Sequence, residues 1–466
     1  MGIFPNLAAK NPSLVWARDW EATVQCIIFA LLWALTGIPH TVGIQYSSLV
    51  LGAVIGALTI ARNPSLFLQK EAIPLLAIAL LFLWIFFHLF FLARNYELQL
   101  DELGVIWKRA ALGCFFAVGL SVSLIRSPNT RINRAIIFIG LMSPTIIFYI
   151  KYLASLVLPW CGLHSPPELM LYTSSAEFYV PKISYVFFCT PALAVIFGEI
   201  VSGFKQNSLA WANFLFLTIC LTAIFGLFYL ENIKNGIVYS VILLLIAVIN
   251  IFRAKAISFT FARVLILLIF SIILGFFIVK NVEKNDSWKN VFADGKVAVN
   301  SDPFDPKGYI RSGILPFKEN GEQVQAANYA RLTWLMGGLH LIKDNPFGYG
   351  LVQSSFGHLV KERFPETGLG QSHSAWLDMV LGIGIPGASL ILLATLLALK
   401  NCQKLDDPWK SFGKWFLGSV ALILITTEVF QKNYANTFLW MIVFVASLSL
   451  ASVGTSVRAL NLPNTK

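Results

Sequence analysis

Charged residues are scarce in this sequence of 466 residues: Asp, Glu, Lys and Arg together make up 13% of it, whereas apolar residues make up 57%. A soluble globular domain carries about 25% charged residues, which a chain of this size needs to cover its surface. The scarcity excludes a soluble enzyme and a disordered chain. Aromatic residues are abundant instead, with 38 Phe and 13 Trp, as is typical of lipid contact and membrane interfaces. We therefore predict a polytopic membrane protein.

The sequence also lacks cysteine pairs, clustered metal ligands, internal repeats and a recognisable leader. Four of the six cysteines fall within apolar runs, Cys402 is expected on the inner side and only Cys161 on the outer side, so no disulfide framework is expected. The six histidines form no H-E-x-x-H or Cys/His pattern, so we expect no metal site. The repeats typical of secondary transporters are missing. The first 20 residues lack an A-x-A-like cleavage site, so we expect no removable signal peptide.

Twelve apolar windows are candidates for membrane spans, since a helix needs about 20 apolar residues to cross about 30 Å of hydrocarbon. They show no alternation with a period of two, so we predict an all-α fold rather than a barrel. The windows lie near residues 21–39, 46–61, 72–93, 110–125, 135–159, 183–201, 209–229, 236–250, 264–280, 375–399, 415–430 and 436–455.

Twelve spans place both termini on one side of the membrane, and the basic residues indicate which side. Counted from a cytoplasmic start, the short inner loops carry about thirteen Lys and Arg residues and the short outer loops about six. This bias follows the positive-inside rule and predicts cytoplasmic termini. Most of the net charge of +11 then comes from basic residues that orient the spans in the membrane. Binding of nucleic acid would need these charges gathered on one soluble face, so we do not expect it.

A polar stretch of about ninety residues, 281–372, separates the ninth span from the tenth on the outer side. We therefore divide the chain into spans one to nine (1–280), a loop domain (281–372) and spans ten to twelve (373–466). The first half of the loop is rich in turn formers and lacks periodicity, which predicts irregular structure. Such a large outer loop on a membrane bundle indicates a function at the outer face.

The second half of the loop has a helical pattern. The helix is expected to end before Asn345-Pro346, because a residue preceding proline avoids the α region. Residues 352–363 predict a second, short helix. Apolar residues recur at helical spacing in the first of these helices, at Tyr329, Leu332, Leu335, Met336, Leu339 and Ile342.

His373 is the first candidate for chemistry. It precedes the tenth span in GLGQSHSAWLDMVLGIGIPG, where Ser372 and Ser374 could cap the helix. The positive end of a helix dipole lowers the pKa of an imidazole and keeps the ring neutral. Free backbone N–H groups at the same end can bind a phosphate. His373 is therefore either a proton acceptor or only part of a helix cap.

Three outer-face cations are candidates for binding an anion. Arg331 lies on the loop helix in NYARLTWLMGGLHLIKDNPFGYG, and its guanidinium could hold a phosphate through two hydrogen bonds. Lys234 lies in the turn YLENIKNGIVYS, and Arg311 in GYIRSGILPF. The alternative for each is a solvated surface charge.

Three ionisable residues fall within predicted spans, where such residues are often functional. Lys151, in the fifth span, could bind a lipid phosphate or extend toward the headgroups. Glu428, near the outer end of the eleventh span, and Asp378, in the tenth, could pair with basic neighbours.

The stretch from Arg331 through Gly387 resembles the O-antigen ligase family, the bacterial lipopolysaccharide ligases, which share a domain with O-antigen polymerases. One match is ARLTWLMGGLHLIKDNPFGYG, in which an Arg opens a helix that ends in an N-P-x-G-x-G turn. The other is the ligase-type pattern H-[NSQ]-x9-G-x-x-[GTY], which reads here His373, Ser374, nine residues, Gly384, Ile385, Pro386, Gly387.

The resemblance implies an inverting transferase on the periplasmic face of a Gram-negative inner membrane. Such an enzyme moves a polysaccharide from undecaprenyl pyrophosphate to a sugar hydroxyl of the lipid A–core oligosaccharide, without metal, cofactor or nucleotide sugar. Arg331 would stabilise the leaving pyrophosphate, and His373 would act as general base. The implied partners are the lipid-linked donor, the lipid A–core acceptor and the bilayer.

The sequence departs from the family at one position and leaves other functions open. Family members usually carry a second arginine in the outer turn between the seventh and eighth spans, where this chain has ENIKNG. Lys234 could replace it as a point charge, or Arg311 or Lys151 could take that role. An O-antigen polymerase or a protein O-oligosaccharyltransferase would use the same donor chemistry. A lipid-linked glycan transporter is a further alternative, although it predicts repeat symmetry that the sequence lacks.

Overall fold

The computed structural model describes residues 12–164, 166–169, 171, 178–206, 210–253, 261–284, 287–299, 309–426 and 432–460. Within these ranges the regular structure is helical, apart from one isolated antiparallel bridge between Phe317 and Gln323. The predicted all-α fold is confirmed.

Each of the twelve apolar windows overlaps an α-helix. One further α-helix lies between the third and fourth windows, and others lie in the loop domain. The helices are α1 (Pro12–Leu35), α2 (Val42–Ala61), α3 (Ile73–Phe91), α4 (Tyr96–Glu102), α5 (Lys108–Arg126), α6 (Thr130–Trp160), α7 (Lys182–Lys205), α8 (Trp211–Leu230), α9 (Lys234–Phe252), α10 (Phe261–Lys284), α11 (Ser287–Val299), α12 (Tyr309–Ser312), α13 (Ala326–Asp344), α14 (Ser355–Arg363), α15 (Ala375–Cys402), α16 (Trp409–Thr426) and α17 (Lys432–Leu460).

Eight helical segments of the described chain are long and apolar enough to cross a membrane, which confirms a polytopic membrane protein. Two of the shortest predicted windows, 46–61 and 236–250, are among them, at Val42–Ala61 and Lys234–Phe252. Trp20–Leu35 and Tyr434–Leu450 are apolar but shorter. The total of twelve spans stays a prediction.

Contacts between helix ends agree with spans that alternate in direction. At the end of the bundle predicted to face inward, Lys404 pairs with Glu71 at 2.8 Å. At the other end, Arg94 pairs with Glu362 of α14 at 2.7 Å. We call the end of the bundle that carries residues 281–372 the loop face. These contacts indicate which helix ends lie at the loop face. The assignment of the loop face to the periplasm stays a prediction.

The first half of the loop contains a helix that the sequence pattern does not predict. Residues Ser287–Val299 form α11, so the prediction of irregular structure there is wrong. The buried carboxylate of Asp294 accepts hydrogen bonds from the Gln325 backbone N–H at 3.2 Å and from the Asn328 amide at 2.9 Å, both at the start of α13. The helix is therefore held by packing and polar contacts with α13, which local periodicity does not reveal.

The long loop helix, α13, confirms the predicted end before Asn345 but buries a different face. Leu339, from the predicted apolar stripe, is 44% exposed. The face that packs includes two small residues, Gly337 and Gly338, and Gly338 lets α13 approach Leu377 of α15. The buried residues are Tyr329, Ala330, Thr333, Trp334, Gly337, Gly338 and Leu341.

The loop domain has its own hydrophobic core, and α15 contributes to it. Phe356 and Val360 of α14 pack there with Tyr329 of α13, and Leu377 and Leu381 of α15 belong to the same cluster. The start of the tenth predicted span is thus packed against the loop domain. This packing places the beginning of α15 beside α13.

Candidate active site

His373 lies in the turn directly before α15, and its imidazole stacks on the indole of Trp334. The ring centroids are 4.8 Å apart and the planes differ by 20°. The backbone of His373 has a φ of 55°, which is uncommon for a residue other than glycine. Because Trp334 belongs to α13, the stack holds the imidazole between the loop domain and the start of the spanning helix.

The turn that carries His373 is fixed by hydrogen bonds, although not by the predicted cap. Ser374 occupies the N-cap position without a capping hydrogen bond, and its Oγ donates to the Ile425 carbonyl of α16 at 3.3 Å. The backbone N–H of Ser372 donates to the carboxylate of Asp378 at 3.1 Å. Ser374 therefore holds the cap position that the sequence indicates, but neither serine forms the predicted side-chain capping bond. Asp378 instead fixes the turn before the helix, and its carboxylate lies in the first helical turn, where the helix dipole favours negative charge.

Arg331 projects from α13 one turn before Trp334, and its charge acts on residues of two other elements. Burial of the imidazole is the main cause that lowers the pKa of His373 to about 4, and the positive charge of Arg331 is the second cause. The same charge acts on Lys234, the first residue of α9, and Arg331 lies close to Tyr239 of that helix. The structure therefore brings together His373, Arg331 and Lys234, three of the residues singled out by sequence.

The protonation states suit an anionic ligand. A histidine with a pKa of about 4 is neutral at pH 7 and can accept a proton. Arg331 is exposed on one side, and the protein around its other sides lowers the pKa of the guanidinium by desolvation. An arginine still remains protonated. The site thus combines fixed positive charge with a neutral imidazole.

Sequence reasoning missed the residues that surround this group. Lys182, at the start of α7, acts electrostatically on Lys234 and on Glu231, which precedes α9 in the same turn. Glu231 is buried, and burial raises the pKa of its carboxyl group, while Lys182 and Lys284 act to lower it. Only the count of outer basic residues hinted at Lys182, and nothing in the pattern indicated Trp334 as the partner of His373.

The two sequence motifs meet in space at a break in α15. Gly384 has φ 73° and ψ 172° in the middle of the helix. A Cβ added there would lie 2.3 Å from the carbonyl oxygen of Phe347, in the N-P-F-G-Y-G turn. Only glycine therefore allows this turn to approach α15 so closely.

Three backbone hydrogen bonds, each of 2.8 Å, fasten the turn to both sides of that break. They run from the N–H groups of Tyr349, Gly350 and Ile385 to the carbonyls of Leu381, Gly382 and Pro346, respectively. The fixed spacing between His373 and Gly384 thus sets the distance from the imidazole to the docking point of the loop.

The remaining predicted site residues do not join this group in the described structure. Lys151 is buried in α6 at 5% exposure, and none of the described contacts links it to His373, Arg331 or Lys234. Arg311 lies in α12, but its side chain is outside the described residues, as is the whole of Glu428. Their predicted roles stay predictions.

Metal ligands are not clustered in the described part of the chain. The residues with defined positions contain no group of three or more His, Cys, Asp or Glu side chains that could hold an ion. The positive charge that acts on His373 comes from the side chain of Arg331, which also acts on Lys234.

The fold and the site define an all-α membrane protein with a cationic site beside a neutral imidazole at one face of its bundle. Residues 214–392 match the family model described as O-Antigen ligase, a range that contains Lys234, Arg331, His373 and Gly384. The chain thus contains an O-antigen ligase domain over these residues, which confirms the resemblance seen in its motifs. The family implies a glycosyltransferase-like enzyme. A comparison with curated proteins finds none that matches the chain.

Proposed function

We propose that this protein is a lipopolysaccharide O-antigen ligase that transfers a polysaccharide from undecaprenyl pyrophosphate to a sugar hydroxyl of lipid A–core. The observation that carries the proposal is the meeting of Arg331, Lys234 and His373 at the loop face. This reaction needs positive charge for a pyrophosphate leaving group and a neutral base for the acceptor hydroxyl. The three residues supply both.

Arg331 and Lys234 bind the pyrophosphate of the donor in this proposal. The guanidinium offers two parallel N–H donors to phosphate oxygens, and the ammonium adds a point charge. As the bond between the anomeric carbon and the phosphate oxygen breaks, negative charge grows on the leaving pyrophosphate. Cations held in place by protein stabilise this charge without reorganising during the reaction.

His373 removes the proton of the acceptor hydroxyl as that oxygen attacks the anomeric carbon from the opposite side, so the configuration inverts. In the free enzyme, burial and Arg331 keep the pKa of His373 at about 4, which makes it a weak base. Bound pyrophosphate brings negative charge that opposes the effect of Arg331, so the pKa of His373 rises. Donor binding therefore strengthens the base.

The closest alternatives share the donor and differ in the acceptor. A polymerase would transfer to another lipid-linked glycan, and a protein O-oligosaccharyltransferase to a Ser or Thr side chain. The ligase is preferred because the ligase-type spacing after His373 is complete, from Ser374 to Gly384 and Gly387. A transporter is disfavoured because it needs no base at the cationic site.

A reconstituted transfer assay tests the proposal. Purified protein is incubated with a lipid-linked O-antigen donor and lipid A–core, in chelator and without nucleotide sugar. We expect a ladder of glycan-capped lipopolysaccharide. Longer donor chains without capped product would identify a polymerase, and transfer to an added pilin-like protein would identify a protein transferase. Recovery of activity only on addition of Mg²⁺ would contradict a metal-independent mechanism.

Replacing Lys234 tests the second cation. We expect Lys234→Ala to lower kcat/KM by about tenfold or more, because a hydrogen bond to a charged group contributes about 1.5–3 kcal/mol. Lys234→Arg should keep activity, since arginine provides the phosphate fork. The control is Lys296→Ala, which removes an exposed loop cation paired with Glu319 at 3.1 Å. Full activity of Lys234→Ala would exclude Lys234 from donor binding.

The pH dependence tests the proposed change in basicity. kcat/KM reports groups of the free enzyme, and kcat reports groups of the bound complex. We expect kcat/KM to fall only as the pH approaches about 4, where free His373 becomes protonated. The acid limb of kcat should lie at higher pH, because bound pyrophosphate raises the pKa of His373. Coincident limbs in steady-state profiles would contradict this coupling.

A further inference from the structure

A cavity of about 380 Å³ lies at the loop face, on the other side of α7 from Lys234. It is formed by the connection between α1 and α2 and by the loop-face ends of α5, α7 and α17. The polar residues that line it include His40, Gln45, Arg109, Ser184, Asn436 and Thr437.

The first turn of α7 separates this cavity from the cationic site. Pro181 and Ser184 line the cavity. Lys182 lies between them in sequence, and its positive charge interacts instead with Lys234 and Glu231. The two sites are therefore neighbours across a single helical turn.

Helices α16 and α17 also relate the cavity to the turn of His373. Ile425 of α16 accepts the hydrogen bond from Ser374, the residue after His373. α17 follows in the chain, and Tyr434, Asn436 and Thr437 at its start line the cavity. Tyr434 is hydrogen-bonded to Ser184 of α7. Helix α16 thus holds the turn of His373, and the next helix in the chain, α17, lines the cavity.

The charge of the cavity favours an anion. Arg109 lines it, and its guanidinium lies 5.7 Å from the ring centroid of Tyr46, another lining residue. Lys108 lies over the same ring at 5.6 Å without lining the cavity. None of the described residues that line the cavity is acidic. The guanidinium of Arg109 therefore gives the wall a positive charge of the kind that binds a phosphate group.

The inner wall is aromatic and carries polar atoms that lack partners in the described structure. Trp440 is 6% exposed, and its indole N–H has no hydrogen-bond acceptor among the described residues. The side-chain oxygen of Asn436 likewise has no donor there. Buried polar groups are normally satisfied, so a ligand with hydroxyl groups would complete this wall. Phe29, Trp33 and Phe188 supply the apolar part.

We propose that this cavity binds the phosphorylated sugar head of the acceptor glycolipid, an inference that rests on the proposed ligase function. Arg109 holds a phosphate of the acceptor head, and the amide, hydroxyl and indole groups contact its sugar hydroxyls. The donor pyrophosphate occupies Arg331 and Lys234 on the far side of α7. The two lipid substrates therefore approach the base from opposite sides of one helical turn.

Binding of purified lipid A–core to the full-length protein in detergent, followed by native mass spectrometry, tests this assignment without requiring transfer. Arg109→Gln should weaken binding by about tenfold, as expected for loss of a charge-assisted contact. The matched control Lys108→Gln removes the neighbouring cation over Tyr46 and should bind as the wild type does. Dephosphorylated lipid A–core should bind the wild type as weakly as the phosphorylated form binds Arg109→Gln.

A second pair of variants acts through volume rather than charge. Gly113 lines the cavity from α5, and a Cβ there would meet Trp440 Cδ1 at an ordinary 3.7 Å. Gly113→Leu should fill the cavity and abolish binding of lipid A–core. Gly113→Ala should preserve it. Both substitutions favour a helix, and size-exclusion profiles confirm that each variant is folded.

The outcomes separate the possible ligands and the two proposals. Unchanged binding in Arg109→Gln and Gly113→Leu would overturn the assignment, as would displacement of lipid A–core by an equal amount of phosphatidylglycerol. A loss confined to undecaprenyl pyrophosphate would assign the cavity to the donor and overturn it too. If the wild type binds lipid A–core through the cavity but transfers no glycan, the ligase function fails while the cavity assignment stands.

Discussion

Replacement of His373 by alanine is expected to lower kcat by about 10²- to 10⁴-fold, the range that general base catalysis contributes. In the proposed mechanism the ring is the proton acceptor beside Arg331, and no other imidazole stacks on Trp334 among the described residues. KM for the donor should change little, because the cations that bind pyrophosphate remain. The measurement is initial-rate transfer of glycan to lipid A–core.

Two comparisons make the His373→Ala result specific. His340→Ala removes an exposed histidine from the same loop helix as Trp334 and should leave kcat unchanged. His373→Gln keeps a polar side chain of similar size without a comparable base and should be as inactive as His373→Ala. Wild-type rates in His373→Ala, with the protein correctly inserted, would remove the general-base role.

Replacement of Arg331 by lysine is the second large effect that we expect. Lysine keeps the positive charge but loses the planar fork, so kcat/KM should fall by about ten- to hundredfold, corresponding to one or two charge-assisted hydrogen bonds. Arg331→Gln should be worse, because it also removes the charge that stabilises the leaving group. Transfer kinetics at saturating acceptor measure both losses.

The pH profile of the Arg331 variants gives a second readout. Arg331→Gln removes a nearby positive charge, which makes the imidazolium form of His373 less unfavourable, so the pKa of His373 should rise. Arg331→Lys should leave that pKa close to about 4. The control Arg62→Lys changes an arginine of the opposite face, which pairs with Glu21 at 3.4 Å. Full activity of Arg331→Lys would reduce Arg331 to a nonspecific cation.

The spans and the central pair of site residues could be predicted because their signals are local. Apolar runs mark membrane helices directly, and all twelve windows overlap helices. His373 and Arg331 were found because each sits in a short motif. The Gly384 position was also part of a motif, although its spacing alone did not indicate that α15 breaks there to receive the turn at 345–350.

Other features depend on contacts between distant segments and could not be predicted. The helix α11 is stabilised through Asp294 and the start of α13, so its own sequence carries little periodicity. The stack of His373 on Trp334 joins residues of two helices. The hydrogen bond from the Ser372 N–H to the carboxylate of Asp378 depends on how the turn before α15 folds.

The non-helical backbone at Gly384 divides α15 into two helical segments. The segment before it is tied to the loop domain through Leu377 and Leu381 and through backbone hydrogen bonds at the turn. The segment after it continues through the apolar span to Cys402. Spanning helices tilt or bend when bilayer thickness changes. Gly384 lies between the spanning segment and His373, so such a tilt changes the backbone at Gly384 before it moves His373. We therefore expect the position of His373 to follow the loop domain and to depend little on the lipid composition around the span.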